Sequence, residues 1–418
     1  MKWLSTLVLS LLLTLLSCHR DRYEIYEWRG PDRSGIYPDT GLLKEWPPEG
    51  PEELWTLEGL GNGFGSPVFS ENRFYITGEK DSVAWLYSYD LQGEKMWETE
   101  LGPEWVTSFP GSRSAPTVAD DRIYVGTGKG DLYCLGTESG ELHWKRSFDE
   151  DFRGVYPLHG HSESALVYRD RVFWTPGGEE YNVVALDRIT GELNWSHPGK
   201  SERSGYHPPR VILHGGRPVL TTFSAYHLMG FDAESGEMLW SHEQDNLPPG
   251  ERKIGYGDTH ANTVLYDNGA IYYAAGDGNG GVKLQLSDDG SSINEVWRNP
   301  GFDSFMGGIV RFGDYLYGAA TASRQLRALD TRSGELTDSL KIGTGALIAA
   351  DSMLYYYNWR GEMHLVRFRE GKLEPVSSFR IQRGTKQHFS HPVIHRGVLY
   401  QRRGDAVMAF RISDHPGK

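Results

Sequence analysis

The chain has 418 residues, 38% of them hydrophobic, and a net charge of -13 without acidic runs. That much apolar material can bury a large core. The missing basic footprint excludes a nucleic-acid partner, and the 51 Gly and 23 Tyr suit many short strands joined by tight turns.

In chain order, Lys2 followed by the apolar run Leu4 to Leu16 reads as a signal segment, too short for a transmembrane span. It ends Leu15-Leu16-Ser17-Cys18, which resembles the lipobox of bacterial lipoproteins, so residues 1–17 are expected to be removed and Cys18 acylated. An ordinary secretory signal is the alternative. Residues 18–51 then form the anchor, a polar leash and a Pro/Gly-rich strap that packs Trp28 and Trp46 onto the body of the protein. Beyond the anchor only Cys134 remains, so no disulfide between structural cysteines is available. Its place in an apolar strand makes it a small buried residue.

From residue 52 a phrase repeats. Gly-Glu-x-x-Trp occurs at Gly93 to Trp97, Gly140 to Trp144, Gly191 to Trp195 and Gly236 to Trp240, with the Trp 47, 51 and 45 residues apart. A period of this length marks one supersecondary unit copied many times. The copy from Ser114 to Trp144 shows four short strands and three tight turns, an antiparallel meander. Eight copies follow one another. The fifth ends on Trp297, the sixth places an aliphatic residue near Leu340 where Trp is expected, the seventh has no Trp, and the eighth stops after Phe410 without a fourth strand. Glu52-Glu53-Leu54-Trp55 reads as that missing strand, displaced to the other end of the repeat. The expectation is an all-β, eight-bladed β-propeller over 52–412, closed by pairing of the N-terminal strand with the C-terminal blade, and a tail at 413–418. Seven blades or an open solenoid are the alternatives. Each recurring Trp should pack between blades with its indole N–H on a neighbouring backbone acceptor.

Val184-Ala185-Leu186-Asp187-Arg188-Ile189-Thr190-Gly191-Glu192-Leu193-Asn194-Trp195 resembles the pyrroloquinoline-quinone-type (PQQ-like) propeller repeat almost residue for residue, and Arg327 to Glu335 matches most of it. The segment Trp28 to Gly35, with Gly41 to Pro47, is similar to a leader found on lipid-anchored members that serve in outer-membrane assembly. The resemblance implies a propeller fold, a place in the bacterial cell envelope and envelope-protein partners. For the dehydrogenase members it also implies PQQ held with calcium beside a vicinal Cys pair. This chain has no adjacent cysteines, so no cofactor is expected, while PQQ with calcium stays open as the alternative.

Function must lie outside the repeat, because Gly-Glu-x-x-Trp is a structural phrase. Residues just before the opening strand of a copy gather at one channel mouth. There the sequence places His159, His161, Glu163, His207, Arg210, Asp258, His260, His388 and His391, and loops between second and third strands bring Arg324, Trp359 and Arg360 to the same face. His159-x-His161-x-Glu163 puts three donors on one face of an extended strand, a weak candidate for a metal. Polar channel lining and a small-ligand pocket, such as one for a sugar, are the competing readings. No Gly-x-Ser-x-Gly or His-Glu-x-x-His motif is present. The leading expectation is a monomeric, lipid-anchored envelope propeller that binds or scaffolds other proteins. A rim-sited oxidoreductase and a small-ligand binder are the alternatives.

Overall fold

In the computed structural model, residues 24–244, 247–258 and 260–413 are described. The signal segment, Cys18 and the leash to residue 23 lie outside them, as does the tail beyond Ser413. Eight antiparallel sheets follow one another around a central channel, and the protein is an eight-bladed propeller. Within blades 1 to 7 the strands run in sequence order from the channel outward. Blade 2, for example, comprises Thr117–Ala119, Arg122–Gly126, Leu132–Gly136 and Leu142–Arg146. Two-residue turns join the first two strands, and positive φ at Asp120 (55°) supplies the tight reversal there. Among the described residues no helix is long and apolar enough to cross a membrane.

Closure occurs where the split ends of the repeat anticipate it. Glu53–Leu57 pairs antiparallel with Ala406–Arg411 and completes blade 8 as its outermost strand. Trp55 lies opposite Ala409, the place of the repeating Trp in the other blades.

That place is defined by register. Trp97, Trp144, Trp195 and Trp240 each face a small residue on the third strand: Ser88, Cys134, Ala185 and Gly230. A β-bulge follows at once in each pairing, adding twist to the outer strand. The indole then reaches the next blade. Trp55 Nε1–H donates to the Leu91 carbonyl at 3.0 Å, Trp97 to Thr137 at 3.0 Å, Trp144 to Arg188 at 3.2 Å, Trp195 to Ala233 at 3.4 Å and Trp297 to Thr331 at 3.0 Å. Each acceptor sits in the turn that precedes the Gly-Glu of the following blade. The Gly of that turn has positive φ (71° at Gly191) and lies against the ring: a Cβ on Gly191 would come within 2.7 Å of Trp144, and one on Gly236 within 2.6 Å of Trp195. One Gly thus serves its own turn and the Trp of the blade before. Cys134 is buried as the small residue opposite Trp144.

Three blades depart from this pattern. In blade 4 Trp240 holds the place opposite Gly230, but its buried indole N–H has no acceptor among the described residues. In blade 6 the register puts Asp338, not an aliphatic residue near Leu340, opposite Ala328. Its carboxylate accepts the Leu373 N–H of blade 7 at 3.0 Å, so a charged hydrogen bond replaces the indole contact. In blade 7 the equivalent place is Ser377, opposite Leu365 just before the bulge. Its hydroxyl accepts the backbone N–H of Trp46 at 3.0 Å, and the Trp46 ring packs on Phe379 and Tyr355. The strap therefore supplies the aromatic that blade 7 lacks.

Truncation of an inter-blade Trp removes a large buried side chain together with its hydrogen bond. Trp144→Ala is expected to cost about 3–5 kcal/mol of stability in urea unfolding. A loss below about 1 kcal/mol would mean that the blades hold together without it.

Candidate binding site at the channel mouth

The strap does not simply lie on the ring. Ile25–Tyr26 pairs antiparallel with the innermost strand of blade 2, Ile25 opposite Ala119 and Tyr26 opposite Val118. The chain turns over Gly30 to Gly35, where the Gly35 N–H donates to the Arg29 carbonyl at 2.9 Å. It then leaves along Ile36–Tyr37, parallel to the innermost strand Gly345–Ala350 of blade 7. The result is a hairpin inserted in the central channel.

Two arginines hold it there. Arg29 is buried and donates to the carbonyls of Leu347 (2.8 Å) and Ile309 (2.7 Å) and to His391 Nδ1 (3.1 Å). Burial, with no carboxylate partner among the described residues, pushes its pKa down to about 10. Room for the guanidinium comes from Gly35 and Gly308, where any Cβ would collide with it. Arg33 donates to Ser164, Ala165 and Pro209 on blades 3 and 4 and pairs with Glu27 at 2.6 Å. Backbone carbonyls that line a propeller channel need donors or water, and these two side chains supply donors to five of them.

Above the hairpin lies a cup of about 380 Å³. Trp28 contributes from the hairpin, and the wall is built by Phe64, Phe109, Tyr206, Phe305, Trp359 and Phe389, with Arg113, His159, Ser162, Ser164, Pro208, Ala261, Met306 and His391 among the rest. Phe389 is the hub of one side: its ring lies 5.2 Å from Trp359, 5.7 Å from Phe64 and 6.2 Å from Phe109. Arg113 is held by the carbonyls of Ser108, Phe109 and Gly111, and burial lowers its pKa. Apolar walls with a few fixed polar groups are what small-ligand and side-chain pockets have in common.

Three of the residues singled out from sequence line this cup: His159, Trp359 and His391. His159 Nδ1 lies 3.0 Å from the Ser108 hydroxyl, and its ring meets Phe109 edge-on. His391 accepts from Arg29 at Nδ1, so its Nε2–H donates to the Met306 carbonyl at 2.9 Å.

Others are buried struts. His161 bonds the Thr175 carbonyl at 3.3 Å and packs 4.4 Å from the Trp174 ring. Glu163 accepts the Thr175 N–H at 3.1 Å, and burial holds its carboxyl well above the usual range. His207 bonds the Asn262 carbonyl, and His260 bonds the Ala225 carbonyl and the Gln244 side chain. Asp258 pairs with Arg203 and accepts the Gly255 N–H at 3.0 Å. Arg210 sits in the innermost strand of blade 4 and donates to the Val264 carbonyl at 3.0 Å. His388 contacts the Tyr357 hydroxyl, while Arg324 and Arg360 are exposed outside the cup. Among the described residues no three His, Cys, Asp or Glu side chains converge as a metal-holding group. The expected set His159, His161 and Glu163 does not form one, because His161 and Glu163 turn inward onto Thr175 while His159 faces the cup.

Apart from Trp359, the aromatic wall was missed from sequence, yet it follows a rule. Counting back four residues from the first residue of the innermost strand (Val68, Thr117, Leu166, Arg210, Leu265, Ile309 and Val393) gives Phe64, Arg113, Ser162, Tyr206, Ala261, Phe305 and Phe389. All seven line the cup. The signal was one position per copy, visible only once strand starts are fixed to the residue.

A quinone held with calcium, as the repeat family implies, finds a poor fit in these residues. The cup offers no convergent donor set for the cation among the described residues, and Cys134 is buried within the sheet of blade 2.

The family profile described as outer membrane protein assembly factor BamB matches residues 82–337, more than half of the chain. The BamB of Yersinia pestis is 25% identical over 235 residues, covering 55% of this chain and 52% of that protein. The quinoprotein ethanol dehydrogenase of Pseudomonas aeruginosa is 27% identical over 160 residues, 34% of this chain and 25% of that protein. The chain thus spans about half or less of the curated relatives it matches. The structure of BamB from Moraxella catarrhalis covers 87% of this chain and 98% of its own, with a TM-score of 0.61 at 12% identity, a likeness of fold.

The buried histidines make stability depend on pH. Burial lowers His161 and His260 to about 4 and His207 and His391 to about 3. They are neutral when folded, whereas unfolded imidazoles protonate near 6.5. Their stabilising contribution is complete above pH 6.5 and is lost as the pH falls toward 4, by up to about 1.4 kcal/mol per pH unit each. Burial raises Glu163 and Glu104; these two contribute at low pH and oppose the trend, but are outnumbered. The urea midpoint should fall from pH 6.5 to 4.5, and His207→Gln should flatten that fall. A midpoint that stays level or rises on acidification contradicts the assignment.

Proposed function

The chain belongs to the family described as outer membrane protein assembly factor BamB, and from that premise we propose that it is a lipid-anchored propeller of the bacterial envelope that scaffolds outer-membrane protein assembly, gripping apolar side chains of partner polypeptides in the cup at its channel mouth. The observation that carries this reading is the cup itself. One residue from each of seven blades faces it, four of them aromatic, around a mouth backed by the protein's own strap.

Such a site suits a partner chain better than a sugar. Phe64, Phe305, Trp359 and Phe389 offer flat apolar faces, and a buried aromatic contact contributes strongly to association at little entropic cost. The polar groups are few and mostly engaged: the Arg113 guanidinium serves three carbonyls, and the Ser164 hydroxyl accepts the Ala115 N–H at 3.1 Å. A sugar would need many free donors and acceptors. Anchoring through Cys18 would hold the ring where envelope partners pass, and two or more acyl chains make such anchoring stable. The dehydrogenase reading has relatives behind it but lacks, among the described residues, a donor set for the cation in the cup.

Cells carrying Trp359→Ala with Phe389→Ala should accumulate unfolded outer-membrane β-barrel proteins, while the propeller itself keeps its abundance and unfolding midpoint. Normal levels of folded barrels in cells dependent on that variant would overturn the reading.

A further inference from the structure

We propose that the strap fixes how the ring sits on a membrane: the face opposite the cup lies against the lipid surface, and the cup opens away from it. The proposal rests on the acylation of Cys18. What it adds is a direction, and the direction comes from the path of the strap.

Every innermost strand starts on the cup side and ends at a turn on the opposite face. Ile25–Tyr26 runs antiparallel to Thr117–Ala119, with Ile25 opposite the last residue of that strand. The chain therefore enters the channel from the face opposite the cup, reaches the cup at Trp28 and returns beside Gly345–Ala350. After the hairpin the chain from Asp39 to Lys44 lies on the entry face: Asp39 accepts the Gly397 N–H at 2.7 Å, and Lys44 pairs with Asp351, Gly397 and Asp351 both lying in turns that end innermost strands. Arg29 and Arg33 lock the hairpin to carbonyls of blades 3, 4, 6 and 7, so the exit point cannot wander.

The leash is short. Six residue steps separate Cys18 from Glu24, a reach of about 20 Å at full extension. Blade strands as long as Lys95–Pro103, nine residues, rise about 30 Å. With the cup against the lipid, the leash would have to cover that thickness, which exceeds its reach. Standing the ring on edge would consume nearly all of it, because the outer strand of a blade lies roughly 15–20 Å from the channel at about 4.8 Å per strand. Only the entry face can rest on the surface with the leash relaxed. That face carries the Glu of each Gly-Glu turn, including Glu141, Glu192 and Glu237. Tether length, rather than attraction to anionic lipid, sets the orientation.

The test uses the full-length acylated protein on phosphatidylethanolamine/phosphatidylglycerol vesicles that carry a headgroup nitroxide quencher. A fluorophore is placed on Glu234→Cys, exposed on the entry face, or on Ala322→Cys, exposed on the cup side; Cys134 is buried and stays unlabelled. The probe at 234 should be quenched several-fold more than the probe at 322. Insertion of a long Gly/Ser segment between Asp21 and Arg22 should abolish the difference. Equal or reversed quenching in the natural protein overturns the orientation, and a difference that survives the insertion overturns the leash as its cause. Flotation distinguishes the two levels of the account. If the wild-type chain does not float with vesicles, or Cys18→Ser floats as well as the wild type, the acylation reading fails and the proposal falls with it.

Discussion

Everything in this molecule depends on a contact between one blade's Trp and the next blade's Gly. A single meander of four short strands cannot bury both its faces. The Trp on the outer strand covers the gap to the following blade and donates its N–H to the carbonyl at the start of the next Gly-Glu turn, and the Gly of that turn has no Cβ to hold the ring away. A small residue opposite the Trp and a bulge beside it complete the arrangement. Made at five of the eight blade junctions, this contact closes the ring once the last outer strand is supplied from the other end of the repeat. Glu53–Leu57 does so, and Trp55 restores the contact at the seam.

The strap follows from the same geometry. Eight blades leave a channel whose innermost strands present unpaired backbone groups. Filling it with the protein's own chain satisfies some of them, at the cost of burying two guanidinium groups. Arg29 offsets that cost with two carbonyls and an imidazole, and Arg33 with three carbonyls and Glu27. The same segment mends the seam between blades 7 and 8 through Trp46 and places Trp28 in the cup. One stretch of about two dozen residues therefore ties together frame, channel and candidate site.

The frame was legible in the sequence because it repeats. Period, strand grammar and ring closure at Leu54-Trp55 follow from spacing, and the role of the indole N–H from the chemistry of Trp. Where the repeat drifts, spacing misplaces the residue: Asp338 rather than a residue near Leu340 holds the Trp place in blade 6, since a bulge shifts register in a way that spacing does not reveal. The site was only half legible. Histidine drew attention as the residue that most often carries chemistry, yet His161, His207 and His260 serve as buried struts. Of the aromatic wall only Trp359 stood out in the sequence, although Phe64, Phe305 and Phe389 obey a stricter positional rule than the histidines do. That the strap threads the channel could not be read at all, because Arg29 and Arg33 meet partners more than a hundred residues away.

The central claim is that the cup, built on one position from each of seven blades, carries partner binding while the repeating frame does not. A photo-crosslinking amino acid placed in living cells at Phe64, Ser162, Phe305 and Phe389, and for comparison at Glu94, Glu141, Glu192 and Glu237 on the opposite face, tests it most directly. The account predicts crosslinks to the same envelope protein from the cup positions and none to that protein from the Gly-Glu turns. Crosslinks to it from the turns alone would contradict the account and move the functional surface to the other side of the ring.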